Sequence, residues 1–328
     1  MKLLRHTFLH LAVGAVALCI LCVSISGHSA WSQATRTIKV IVPVPPGGSV
    51  DTLARLVADQ VGRAQGTTIV IENRPGAGSV IGIEAVSRAV PDGNTLLMAA
   101  TAILVSPHLQ KVNYDPLTSF EPICEIANVP TVIVVNSESP YRTLADLLDA
   151  ARAKPGELTL ASVGPGTPYQ FGLEVLKRAA NVNITYVPYA GSAPATNALL
   201  GQHVTAVFAG YPNVTELITS GKLRALAVAA RTRVEPLPDV ATVAESGYKD
   251  YEVDNWFGLF APAKTPKETT SQLAGWFAAA VQTPELKPKL IGQGLFPVGT
   301  CVADFAALLR KQYDEYGQII RETNIKAK

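Results

Sequence analysis

The chain has 328 residues, 28 Lys and Arg against 26 Asp and Glu, and 48% hydrophobic residues. The excess positive charge sits at the extreme N-terminus, in Lys2 and Arg5, so the remainder is neutral and carries no long basic run. That excludes a nucleic-acid partner, whose phosphates demand clustered Lys and Arg.

Lys2 and Arg5 precede an apolar run from Leu11 to Val23 and then small and polar residues up to Ala34, the order of a secretory signal peptide. Cleavage after Ala34 puts Ser32 and Ala34 in the small-x-small positions and predicts residues 1–34 as the signal, hence a periplasmic protein. The apolar run is shorter than the ~20 residues a spanning helix needs. Cys19 and Cys22 both follow leucine, where a lipobox requires a small residue. Beyond residue 34 only Cys124 and Cys301 remain, in a compartment that permits disulfides. They either bridge or stay as two buried thiols, because spacing alone does not show that they meet.

From Thr37 the chain alternates. TIKVIVPV reads as a strand, and the next stretch places Val50, Leu53, Ala54, Val57 and Val61 on one helical face. TTIVIEN is a strand, SVIGIEAVSRAV a helix, PDGN a turn and TLLMAA a strand. The pattern restarts after VPTVIVVN with a helix at TLADLLDAARA. LTLASV, ITYVPYAG, VTAVFAG and LRALAVAA follow as strands with helices between them. The segment from Tyr251 to Pro266 is extended and aromatic, and two helical stretches close the sequence. This predicts an α/β fold of two domains, each an open α/β sheet, joined by two crossings near Val129 to Asn136 and Tyr251 to Phe260. The expected boundaries are 35–133 with 255–328 for the first domain and 134–254 for the second, with the C-terminal helices covering the first.

Two glycine-rich segments, Pro43 to Asp51 and Asn73 to Gly82, each run from a strand into a helix. They bring two helix N-termini, with unpaired N–H groups and positive dipole ends, to one sheet edge where a small anion can meet both. Pro45 and Pro46 stiffen the first approach, Gly47 and Gly48 allow close backbone contact, and Ser49 and Asp51 can cap the helix. The second domain has matching segments at Ser162 to Pro168 and Pro188 to Pro194. There Thr167 and Ser192 offer hydroxyls, Gly164 and Gly191 bare backbone, and Tyr189 an apolar wall with a polar tip. Each segment alone reads equally as a helix start; four facing one cleft read as a binding site.

Other chemistry is poorly supported. Beyond the signal there are two histidines, His108 and His203, neither beside a nucleophile-elbow pattern, and G-x-S-x-G is absent. No zinc or calcium motif occurs. Asp250, Glu252 and Asp254 alternate along an extended stretch and read as a solvated edge before a calcium site. Gly76, Gly78 and Gly82 miss the dinucleotide fingerprint, with Ile81 where its third glycine belongs, so no cofactor is implied.

The segments VPVPPGGSVDTLAR, IENRPGAGSVIG, SVGPGTP, VPYAGSAPATNALLGQHV, SGKLRALAV, LPDVATVAESGY and WFGLFAPAKTP span nearly the whole chain. They resemble the Bug family of periplasmic solute receptors, the binding components of tripartite tricarboxylate transporters. The resemblance implies a periplasmic-binding-protein fold of type II character that closes on a small carboxylate-bearing ligand and presents it to membrane permease subunits, as a monomer and without catalysis. By the same resemblance Pro46, Gly47, Gly48, Ser49, Asp51, Ala77, Gly78 and Ser79 form two pincer loops. Ser162, Gly164, Thr167, Tyr189, Gly191, Ala209 and Gly210 face them, with Thr101 as a further contact. Ala190 stands where relatives often carry Lys or Arg, Gln170 near a frequent His, and Ala209 and Gly210 where many have Asp. The second side is therefore expected to be less charged, which favours a monocarboxylate, an aromatic acid or an amide-bearing ligand over citrate. A ligand sensor serving a signalling partner, and an exported hydrolase or transferase using His108 or His203 as base, are the alternative readings.

Overall fold

Short apolar runs bounded by Gly, Pro and Asn become strands, and the 3.6-period stretches between them become helices. The computed structural model describes residues 37–164, 167–230, 233–249, 251, 253 and 255–323. The expected signal segment 1–34 and the carboxylates Asp250, Glu252 and Asp254 lie outside the described residues.

The first elements are β1 (Thr37–Val42), α1 (Ser49–Gln65), β2 (Thr68–Asn73), α2 (Val80–Ser87), β3 (Thr95–Ala100), α3 (Ala102–Leu109) and β4 (Phe120–Asn128). Then come β5 (Thr131–Asn136), α4 (Leu144–Ala153), β6 (Thr159–Val163), α5 (Pro168–Ala180), β7 (Thr185–Tyr189), α6 (Ser192–Leu200), β8 (Ala206–Gly210), α7 (Thr215–Thr219) and β9 (Leu223–Ala229). The last described elements are β10 (Trp256–Pro262), α8 (Lys267–Val281), α9 (Lys287–Gly292), β11 (Phe296–Cys301) and α10 (Val302–Thr323).

These strands form two sheets, six-stranded in the order β11-β4-β10-β3-β1-β2 and five-stranded in the order β7-β6-β8-β5-β9. β1, β2 and β3 run parallel, so the turns into α1, α2 and α3 all leave the same edge of the first sheet. β6 is parallel to β7 and β8, which places the turns into α5 and α6 at one edge of the second sheet.

The chain passes from the first sheet to the second at Val129 and Pro130, between β4 and β5, and returns through residues 230–255 into β10. The two passages touch, the Val129 N–H donating to the Asn255 carbonyl at 2.6 Å, and the Pro130 carbonyl is held from the second sheet by the Tyr211 N–H, just after β8, at 2.8 Å.

Apolar faces close both sides of the first sheet. Val50, Leu53, Ala54, Val57 and Val61 of α1 are all buried, with Leu273 and Phe277 of α8 in the same core. A second core takes in Leu97, Ile103 and Trp256 from the first sheet's surroundings and Ile133, Leu160 and Phe208 from the second sheet. Burial of such a side chain contributes about 1.5–3 kcal/mol. α8 covers the first sheet, but α10 also reaches the second part of the chain: Tyr316 meets Phe171 of α5 edge to face, ring centroids 4.6 Å apart, and Glu322 pairs with Arg178.

β11 pairs antiparallel with β4, with Cys301 opposite Cys124, and a disulfide joins them with Cα atoms 4.0 Å apart. The strand register, invisible in the spacing of the two cysteines, brings them together.

Candidate functional site

The loop from β1 into α1 is built around Asp51, which is 3% exposed. Its carboxylate accepts from the Gly47 N–H at 2.9 Å, from Arg55 Nε at 3.0 Å and from Asn73 Nδ2 at 2.9 Å. Burial acts to raise its pKa, but these donors outweigh it and hold the carboxyl below its ordinary value. Asn73, at the end of β2, also donates to the Val44 carbonyl, so one network fastens both glycine-rich loops together.

The second loop is strained. Gly76, Ala77, Gly78 and Ser79 have φ of 133°, 46°, 63° and 80°, four consecutive residues in the positive-φ half of the map. For Ala and Ser this conformation costs about 1–2 kcal/mol each, and such costs concentrate at functional sites. Gly82 closes the loop: a Cβ there would lie 2.7 Å from the Arg74 carbonyl oxygen, so the first turn of α2 presses directly on the preceding loop.

Together the loops form one wall of a cleft of about 620 Å³, a size ordinary for small-molecule sites. Val44, Pro46, Gly48, Ser49, Ala77, Gly78 and Ser79 face Thr167, Pro168, Tyr169, Gly191, Ser192 and Asn213 from the second sheet's helices. Between them lie Ala100, Ser106, Gln110, Asn255 and Phe257. No Asp, Glu, Lys, Arg or His is among the described residues that line it.

Its positive character comes from backbone. α1, α2 and α6 start at Gly48, Ser79 and Gly191, and none of the three has a side-chain cap. At α5 the Thr167 hydroxyl accepts from the Gln170 N–H. By contrast α4, away from the cleft, has a full capping box between Thr143 and Asp146. At α2 the Val80 N–H already donates to the Ala77 carbonyl and the Ile81 N–H to the Gly76 carbonyl, whereas the first-turn N–H groups of α1 and α6 at the cleft wall can meet an anion.

Of the residues expected at the site, Pro46, Gly48, Ser49, Ala77, Gly78, Ser79, Thr167 and Gly191 line the cleft, and Gly47 lines a smaller side opening of about 280 Å³. The others stand behind it. Asp51 holds the first loop. Thr101 is fully buried, its Oγ1 accepting from the Trp256 N–H at 3.1 Å and donating to Asn255 Oδ1 at 3.3 Å. Ser162 is buried and donates to the Tyr186 hydroxyl. Gly164 donates its N–H to the Tyr189 carbonyl at 2.8 Å, and its own carbonyl accepts the Thr167 hydroxyl at 3.0 Å, which makes both Gly164 and Tyr189 supports of the α5 start. Ala209 and Gly210 are buried in β8, and a Cβ at Gly210 would come within 2.8 Å of the Tyr169 hydroxyl.

Tyr169, Asn213, Asn255, Ser106 and Gln110 were not expected, yet they supply side-chain polarity to the cleft. Tyr169 follows two residues after Thr167, and Asn255 is a polar residue immediately before a wholly buried strand, a pattern that signals a constrained role. Ser106 and Gln110 carry no such signal, since α3 reads as an ordinary apolar helix.

His108 is tied into the fold: its Nε2 donates to the Tyr313 carbonyl at 3.0 Å, its ring lies 4.2 Å from that of Tyr313, and burial lowers its pKa. Among the described residues no group of three His, Cys, Asp or Glu is placed to hold a metal ion, and no helix is long and apolar enough to cross a membrane.

Two α/β sheets, two chain passages between them and a cleft rimmed by helix N-termini with no charged residue among its described lining define a two-lobed solute-binding protein of the periplasmic type. The chain belongs to the family described as "Tripartite tricarboxylate transporter family receptor", whose model matches residues 53–325. This is a family of substrate-binding receptors, not of enzymes. The chain is 32% identical over 303 residues to protein BugT of Bordetella pertussis, covering 92% of this chain and 93% of that one. The solved periplasmic binding protein BugD superposes with a TM-score of 0.77 at 33% identity, over 89% of this chain and 98% of that one. An R. palustris protein, Rpa4515, solved with adipate, superposes with a TM-score of 0.81 at 31% identity, over 90% of this chain and 99% of that one.

Proposed function

We propose that this chain is a periplasmic receptor that captures a small carboxylate-bearing solute in the cleft and delivers it to the permease subunits of a tripartite tricarboxylate-type transporter. It acts as a monomer, exported by its signal peptide 1–34. The observation that carries the reading is the pair of uncapped N-termini at Gly48 and Gly191 facing each other across a cleft with no charged residue among its described lining. A carboxylate entering it exchanges hydration for charge-assisted hydrogen bonds from fixed amides, each contributing about 1.5–3 kcal/mol. A neutral solute would gain no such return. The adipate carried by a relative of this fold supports the same class.

Closure in this reading brings the segments 35–133 and 255–328 against 134–254, with the passages at Val129 and Asn255 as hinge. The apolar patches formed by Val44, Ala100, Leu109 and Phe257 suit a hydrocarbon or aromatic body behind the carboxylate.

The test is thermal unfolding of refolded, ligand-stripped protein against mono-, di- and tricarboxylates, amino acids and aromatic acids. A true ligand at ~100 times its dissociation constant stabilises the folded state by about 2.7 kcal/mol. A selective shift with carboxylates, the compound recovered unchanged, is expected. A panel in which only uncharged solutes shift the midpoint, or in which the compound is consumed, overturns the reading.

A further inference from the structure

A second cavity, of about 480 Å³, opens over the β11 and β4 half of the first sheet, whereas the cleft lies over the β10, β3 and β1 half. The two share no described lining residue. Its described lining includes the apolar Phe296 and Val298 of β11 and Leu308 of α10, together with Glu125 of β4 and Arg233 and Glu235 from the segment after β9.

Glu125 is 6% exposed, and no described residue donates to its carboxylate; burial pushes its pKa up to about 7. An ionised carboxylate is buried at a large cost unless something pairs with it. Among the described residues none supplies such a partner. Arg233, the one cation among the described lining residues, is held elsewhere: its Nε meets Glu245 Oε2 at 2.9 Å and its Nη1 meets the Pro238 carbonyl at 2.9 Å. Glu235 is a second carboxylate in the described lining, and the lining residues from β11 and α10 are uncharged. Among its described lining residues the cavity thus combines a buried carboxylate with no partner, a second carboxylate, an arginine already engaged by Glu245, and apolar side chains around a space large enough for a ring or short chain.

We propose that this cavity is a second binding site, independent of the cleft, for a small organic ammonium whose charged head pairs with Glu125 and whose apolar body rests on Phe296, Val298 and Leu308. Binding holds Glu125 in its ionised form. A carboxyl that is partly protonated at neutral pH therefore sheds a proton as the ammonium enters, and the effect fades at higher pH, where Glu125 is already ionised.

Calorimetric titration with benzylammonium, and with benzyl alcohol as its neutral counterpart, tests this in phosphate and in Tris buffer at pH 7 and pH 8.5. Saturable binding of benzylammonium is expected, at least tenfold tighter than of the alcohol. At pH 7 its heat should differ between buffers by the amount that release of roughly half a proton requires, and the difference should be near zero at pH 8.5. Glu125→Gln should weaken binding at least tenfold and abolish the proton release. Leu308→Trp, which fills the cavity and leaves the carboxylate in place, should weaken it independently, with folding of both variants checked by circular dichroism. No saturable binding to the unaltered protein, equal affinity for the alcohol, or undiminished affinity in either folded variant overturns the proposal.

Discussion

Asn255 Nδ2 donates to the Tyr169 hydroxyl at 3.1 Å, joining the end of the return passage to the first turn of α5. The same residue accepts at its main-chain carbonyl from Val129 and at Oδ1 from Thr101, so the two passages, the end of β3 and α5 meet at one residue bordering the cleft. Burial pushes the Tyr169 hydroxyl up to about 12, and it stays neutral across the ordinary pH range. Tyr169→Phe leaves Asn255 Nδ2 without its acceptor and should cost about 1–2 kcal/mol of stability, read from urea titration. It should also weaken ligand binding, because Asn255 is then free to turn away from the cleft.

Asp51 acts on the first loop through hydrogen bonds. Asp51→Ala removes the acceptor of the Gly47 N–H and of Asn73 and should destabilise by about 2–3 kcal/mol. Because the folded pKa lies below the ordinary value of 3.8, the stability this carboxylate contributes is fully present above that pH and is lost as pH falls through the folded value. Acid unfolding of the variant should accordingly show a shallower dependence below pH 4. An unaltered acid limb would show that Asp51 does not anchor the loop.

Glu125 has the opposite sign. Its folded pKa of about 7 exceeds the ordinary 4.5, so folding is progressively disfavoured as pH rises between those values, and the cost is constant above them. Glu125→Gln should be more stable than the unaltered protein by about 3 kcal/mol at pH 8, with the gain vanishing near pH 4. Chemical denaturation at the two pH values decides it.

At Gly78, φ is 63° and the space for a side chain is open, the nearest atom being Gln110 Nε2 at 3.9 Å. Asp and Asn both tolerate this conformation, so the pair separates charge from shape. Gly78→Asp should lower affinity for a carboxylate ligand at least a hundredfold, and Gly78→Asn by much less, with similar unfolding midpoints for both. Equal affinities in the two would remove this loop from anion binding.

The disulfide between Cys124 and Cys301 closes a loop across a sequence separation of 177 residues. Its removal, by Cys124→Ala with Cys301→Ala or by reduction, should cost about 2–5 kcal/mol. The measurement is the midpoint of thermal unfolding with and without reductant, in which the double variant should no longer respond to reductant.

The alternation of apolar strand and amphipathic helix follows from residue pattern alone, which makes the α1 face from Val50 to Val61 and the two crossings, near Val129 to Asn136 and Tyr251 to Phe260, legible in the sequence. So are the glycine-rich turns, because a left-handed backbone favours glycine, and Gly47 and Gly78, with φ of 89° and 63°, announce that locally. The pairing of Cys301 with Cys124 was not legible, since it depends on the register of an antiparallel strand added from the far end of the chain. Nor was the division between Ser49, which faces the cleft, and Asp51, two residues on, which lies behind it. Which of two neighbouring side chains reaches a ligand is set by how a helix is rotated against its sheet. Asn255 and Tyr169 belong to the same class: each is unremarkable in its own segment and acquires a role only where packing brings α5 over the return passage. Local backbone preferences thus determined where the cleft loops occur, and long-range packing alone decided which of their atoms face the cleft.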